Sequence, residues 1–124
     1  MKAVFEIKKA ADGKFLFNLK AANDEIIFTS QIYETKEGAA AGIVSVRHNA
    51  SIGPHYEEKT GSDGLPYFVL RAANQAVIGR SQMYSSHEAM QKGIASVRRN
   101  APIAETVDLT AGVRFAGSSR GARG

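Results

Sequence analysis

A chain of 124 residues, 44% hydrophobic and 23% charged, has the size and balance of one globular domain with a real core. It contains no cysteine, which excludes disulfides, thiol nucleophiles and thiolate metal sites, and no apolar run is long enough to cross a bilayer. The net charge of +4 and pI near 9.5 suit an anionic neighbour without identifying one. The first fifteen residues alternate apolar and polar instead of forming a secretion signal, so a cytoplasmic protein is expected.

The chain opens as a β-hairpin. Ala3, Phe5 and Ile7 share one face against Val4, Glu6 and Lys8, and Phe15, Phe17 and Leu19 share one against Leu16, Asn18 and Lys20. That period of two marks half-buried strands, and Asp12-Gly13 between them suits the positive φ of a tight turn. Asn23 turns the chain into a third strand over residues 25–29, whose buried face the pattern leaves open. A helix follows, starting from Thr35, with Ala39, Ile43, Val46 and Ala50 along one stripe. Gly42 lies beside that stripe, where glycine costs about 1 kcal/mol against alanine, so close approach to the sheet is expected there.

The same elements then recur. Residues 71–101 repeat residues 20–50 without a gap, at about half the aligned positions. Asp63-Gly64 stands for Asp12-Gly13, residues 76–80 for the third strand, and Gly93 for Gly42. The second copy's opening strand is only weakly matched, around residues 56–59. Ser85 followed by Glu88 fits a capping box for the second helix, with Met90, Ile94 and Val97 as its stripe. Each unit reads βββα and is too small to be comfortably stable alone, so the two are expected to share a core. Beyond Pro102 the repeat stops; Val107, Leu109, Val113 and Phe115 suit a short extended segment, and residues 116–124 read as flexible.

The recurring residues carry a resemblance. Phe17, Leu19 and Lys20 to Asn23, then Ile27, Ser30 and Tyr33, then Gly42, Ile43, Ser45, Val46, Arg47, Asn49 and Ala50 resemble the YegP-like family of small, uncharacterised bacterial proteins. The second copy repeats the signature at Leu70 to Asn74, Ser81, Tyr84, Gly93, Ile94, Ser96 to Arg98, Asn100 and Ala101. The resemblance implies one continuous antiparallel sheet, with the helices exchanged so that each packs on the other unit's strands. The family often has glycine where this chain has Asp24 and Gln75, and the segment after Pro102 lies outside the resemblance. It transfers no activity and no catalytic residue.

The expected architecture is therefore α+β: a single domain over residues 1–104, made of two βββα repeats (2–51 and 53–102) with helices on one face, followed by an extension over 105–124. The chemistry-bearing residues form no reaction centre in sequence. His48, His55 and His87 are scattered, no metal or cofactor motif appears, and the recurring serines Ser30, Ser45, Ser81 and Ser96 have no paired base, so no enzyme is expected. The expected function is a small non-catalytic binding or accessory module, a monomer with an internal pseudo-two-fold. Its candidate surface is the sheet face away from the helices, carrying Lys8, Leu16, Lys20, Tyr67, Val69 and Arg71 beside Val4. A protein partner is one occupant of such a face; a weak nucleic-acid contact using this face and Arg114, Arg120 and Arg123 is the rival, and an enzyme on a small polar substrate ranks below both.

Overall fold

The computed structural model describes residues 2–110. Strands β1 (Val4–Lys9), β2 (Phe15–Lys20) and β3 (Ile26–Ser30) lead into helix α1 (Lys36–Asn49). The second unit repeats this as β4 (Tyr56–Thr60), β5 (Pro66–Arg71), β6 (Val77–Arg80) and α2 (His87–Asn100), and β7 (Glu105–Asp108) closes the described chain. All seven strands form one sheet in the order β4-β5-β6-β3-β2-β1-β7. Within and between the repeats the pairing is antiparallel, as expected, but β7 runs parallel to β1, so the sheet is mixed. The added strand covers the edge that β1 would otherwise leave bare. The expected extended segment is thus present at Val107, which pairs with Glu6; Val113, Phe115 and residues 116–124 lie outside the described residues.

The alternation predicted for the hairpins holds. Phe5, Ile7, Phe17 and Leu19 are buried under the helices, while Val4, Glu6, Lys8, Leu16 and Lys20 face the other way. The third strand escapes that logic because it carries an extra residue. Leu19 pairs with Phe28 and Lys20 with Ile26, so Ile27 bulges, and Ile26 is 39% exposed although Phe28 is fully buried. The second repeat bulges at Ile78 in the same way, between the pairs Leu70–Gly79 and Arg71–Val77. A bulge puts two residues opposite one and flips the side-chain parity beyond it. Asp24 and Gln75, at φ 73° and 74°, occupy the left-handed conformation that glycine adopts most readily, so both turns share one geometry without a glycine.

The two repeats join at a narrow seam, where Thr29 pairs with Arg80 and Ser30 with Gly79. Gly79 stands where the first repeat has Phe28. A Cβ there would lie 2.4 Å from the Thr29 carbonyl oxygen and 2.6 Å from the Phe28 ring, so one ring fills the space on both sides of the pseudo-two-fold. The core is continuous across the seam. Phe5, Phe17, Phe28, Phe68, Leu19, Leu70, Ile43 and Met90 are all fully buried, each worth about 1.5–3 kcal/mol of transfer free energy.

The exchange of helices takes the form of shared packing. α1 lies on its own β1 and β2 and also reaches β5 and β6, while α2 lies on its own β5 and on β3. Two details of the helices differ from expectation or sharpen it. α2 is capped by Ser86, whose hydroxyl accepts from the Ala89 N–H, and not by Ser85; it matches Thr35, which accepts from the Gly38 N–H. Gly42 and Gly93 do approach something closely: the Tyr33 and Tyr84 rings, with the Phe17 ring of β2 also against Gly42, rather than sheet backbone. Among the described residues no helix is long and apolar enough to cross a membrane.

Candidate functional site

On the sheet face opposite the helices, one row of side chains crosses every strand: Glu57, Val69, Arg80, Thr29, Asn18, Glu6 and Val107. The six residues expected on this face are there, but they are less free than their types suggest. Leu16 and Tyr67 are half-buried and Val69 is 5% exposed, closed in by its longer neighbours. The cations are paired. Glu6 bridges Lys8 at 3.7 Å and Lys20 at 3.5 Å, and Glu57 bridges Lys59 at 3.7 Å and Arg71 at 2.7 Å. These two triads are images of each other under the repeat, each setting two cations against one carboxylate. Lys20 also reaches Asp24 at 2.9 Å; that hydrogen bond heads the causes that raise its pKa. Arg71 holds the Glu57 carboxyl below the usual carboxylate range.

The centre of the face breaks the symmetry. In the first repeat Asn18 donates to the Thr29 hydroxyl at 2.9 Å, forming a closed polar pair. The equivalent pair in the second repeat is Val69 and Arg80, and valine offers no acceptor. Arg80 is exposed and has no ion-pair partner among the described residues. A shallow groove opens on each side of it. One, of about 300 Å³, is edged by Ile26 and Met83; the other, of about 330 Å³, by Leu16 and Ile32. Ile32 is 53% exposed and Met83 42%, and they occupy equivalent positions in the two repeats. Arg80 was not among the expected site residues. The signal that could have found it is the charge gained between the two third strands at this position, threonine in one copy and arginine in the other.

Most of the recurring polar residues serve the fold. Ser30 and Ser81 are buried, accept the Phe17 and Phe68 N–H groups at 2.8 and 3.1 Å, and donate to the Gln31 and Gln82 carbonyls. Asn49 and Asn100 bind back to Ser45 and Ser96 one turn earlier. His55 meets Asn49 at 2.7 Å and His87 meets Glu58 at 3.0 Å, on separate parts of the surface. Tyr33 and Tyr84 stack on Phe17 and Phe68, and the Tyr84 hydroxyl is closed to solvent with no well-formed hydrogen bond among the described residues. Arg114, Arg120 and Arg123 lie outside the described residues.

Comparison with known proteins places these features in a wider group. A family model described as a domain of unknown function, DUF1508, matches twice, at residues 10–57 and 62–108. Each match runs from a hairpin turn through the helix into the strand after it, so β7 belongs to the second match and the family likeness extends past Pro102, where it was expected to stop. The UPF0339 protein YegP of Escherichia coli K12 is 49% identical over 96 residues, covering 77% of this chain and 87% of that protein. A UPF0339 protein of Pasteurella multocida is 46% identical over 106 residues, covering 86% and 93%. The solution NMR structure of a UPF0339 protein from Shewanella oneidensis aligns with a TM-score of 0.82 at 43% identity, covering 88% of this chain and 92% of that one. That of YegP from E. coli aligns with a TM-score of 0.82 at 45% identity, covering 88% and 94%.

Proposed function

The chain belongs to the DUF1508 family, in two tandem copies, and on that premise we propose that it is a non-catalytic binding module, acting in the cytoplasm as a monomer, whose contact with a protein partner is centred on Arg80. The observation that carries this reading is an exposed arginine without an ion-pair partner among the described residues, set between two matching apolar-lipped grooves on the seam of the sheet. Arginine and methionine are enriched at interface centres, and a guanidinium can hold a carboxylate through two parallel N–H donors. Charge and shape together suit an extended segment that presents a carboxylate to Arg80 and an apolar side chain to each groove.

A non-catalytic role is supported by the fate of the chemistry-bearing residues. The recurring serine hydroxyls and asparagine amides are engaged in backbone and helix-end hydrogen bonds, and the histidines stand apart from one another. The rival nucleic-acid reading loses ground because Lys8, Lys20 and Arg71 already face carboxylates. A phosphate contact would have to displace them, and affinity for nucleic acid grows with the number of free cations.

The test is an amide NMR titration with a short acidic peptide carrying one glutamate between a leucine and a phenylalanine. Shifts confined to Ile26, Thr29, Ile32, Arg80 and Met83, and abolished by Arg80→Glu, support the proposal. Shifts spread over the surface, or unchanged by Arg80→Glu, overturn it. Fluorescence anisotropy with single-stranded DNA and RNA is the companion measurement. No affinity tighter than about 10⁻⁶ M at physiological salt is expected; submicromolar binding lost on charge reversal at Lys20 and Arg71 selects the rival.

A further inference from the structure

The second feature lies on the helix side of the sheet and rests on different residues. Between α2 and the Ala21-Ala22-Asn23 turn of the first repeat runs a crevice of about 480 Å³. α2 contributes Lys92, Ser96 and Arg99 to its wall, at spacings of four and three residues, so they share one stripe of the helix. Opposite them Ala21 and Ala22 have nothing beyond Cβ, which is what leaves the space. Neither Lys92 nor Arg99 has an ion-pair partner among the described residues. Glu25 also lines the crevice and receives a hydrogen bond from Gln82 at 3.4 Å. The side-chain charge of the lining is therefore net +1, two cations against one carboxylate.

The Tyr84 hydroxyl, set beside Gly93 in the same lining, is the one buried side-chain polar atom without a partner among the described residues. Burial, and after it the Glu25 carboxylate, keep the phenol in the neutral, donating form against a smaller opposing influence of the Gln82 side chain, which stands near the hydroxyl without making a well-formed hydrogen bond to it. An unused buried donor calls for an acceptor, water or ligand. The pseudo-two-fold supplies an internal control. The equivalent positions in the first helix keep the frame, with Tyr33, Gly42 and Ser45, but Ala41 stands for Lys92 and His48 for Arg99. The repeated signature builds the same scaffold twice, and only one copy carries a pair of permanent cations.

We propose that the crevice between α2 and the Ala21–Asn23 turn is a binding site for a small organic anion, with Lys92 and Arg99 holding its carboxylate or phosphate oxygens and Tyr84 donating to it. Glu25 limits the charge the site accepts, which excludes strongly polyanionic ligands. The shared chemistry is a small oxyanion, and the source is resolved by probing with succinate, inorganic phosphate and glycerol 3-phosphate in separate titrations of the full chain.

The expected result is saturable binding of at least one probe, read by amide NMR as shifts at Asn23, Lys92, Ser96 and Arg99 without matching shifts at Ala41, Ser45 and Asn74. Lys92→Ala and Arg99→Ala should each weaken it about tenfold or more, the usual size of a lost charge-assisted contact. Tyr84→Phe should weaken it while leaving thermal unfolding at or above the wild-type temperature, since a buried group without a partner is removed. No saturable shifts with any of the three probes, equal shifts in both halves, or binding unchanged in the Lys92→Ala/Arg99→Ala double variant would each overturn the proposal. Arg80→Glu should leave this binding intact, so the outcome is independent of the sheet-face reading.

Discussion

Replacing Gly79 with alanine tests the seam directly. The new Cβ would sit 2.4 Å from the Thr29 carbonyl oxygen and 2.6 and 2.7 Å from two carbons of the Phe28 ring, whereas ordinary contact begins near 3.4 Å. About 1 Å of movement is therefore required, and neither neighbour yields cheaply. Thr29 is backbone in a seam of two residue pairs, and Phe28 is fully buried. Overpacking typically costs 1–3 kcal/mol, and the rigidity of both neighbours puts this case near the top, about 3 kcal/mol. Urea denaturation reads that as a lower midpoint with little change in slope. Adding Phe28→Leu should recover only part of the clash, because the carbonyl contact persists, and the two changes should be non-additive. A Gly79→Ala protein within about 0.5 kcal/mol of wild type would refute the idea that one phenylalanine fills the seam for both repeats.

Ser81→Ala leaves the buried Phe68 N–H without its acceptor and should cost about 1–3 kcal/mol, as should Ser30→Ala at Phe17; urea melts with losses under half of that would show the bonds to be dispensable. Gln75→Gly should stabilise by about 0.5–1 kcal/mol, since the left-handed strain at φ 74° is relieved, less the added freedom of glycine in the unfolded chain. Thermal unfolding checks it, and a lower melting temperature would contradict it. Arg71 favours the ionised form of Glu57 in the folded state, so the stability from this group is complete above the usual carboxylate range and is lost as pH falls through the depressed folded value. Arg71→Ala should move the Glu57 titration upward in carboxyl-carbon NMR; an unmoved midpoint would show the pair to be weak.

Much of this architecture was legible along the chain. The alternation of Phe5, Ile7, Phe17 and Leu19, the stripes of Ile43, Val46, Ile94 and Val97, the Asp-Gly turns and the repeat itself are local or self-similar signals. A strand or helix writes its own period, so these needed no knowledge of neighbours. The misplaced cap at Ser85 was correctable from sequence too, because Ser86 aligns with Thr35. The third strand was not legible. Ile26, Ile27 and Phe28 are all apolar, and only pairing with β2 shows that Ile27 is the extra residue. The same holds for β7, four residues whose parallel register with β1 no local pattern announces. It holds most for the candidate sites. Lys8, Lys20 and Arg71 look like free cations in a linear reading, and only the fold brings Glu6 and Glu57 against them. Arg80, Lys92 and Arg99 differ from their counterparts Thr29, Ala41 and His48, but only the structure shows what stands near each. Whether a charge is neutralised or left available depends on residues tens of positions away, brought within a few ångströms by strand register and helix packing. The sequence determined the elements and their two-fold repetition; the tertiary structure alone decided which side chains meet across the seam and which are left without a partner.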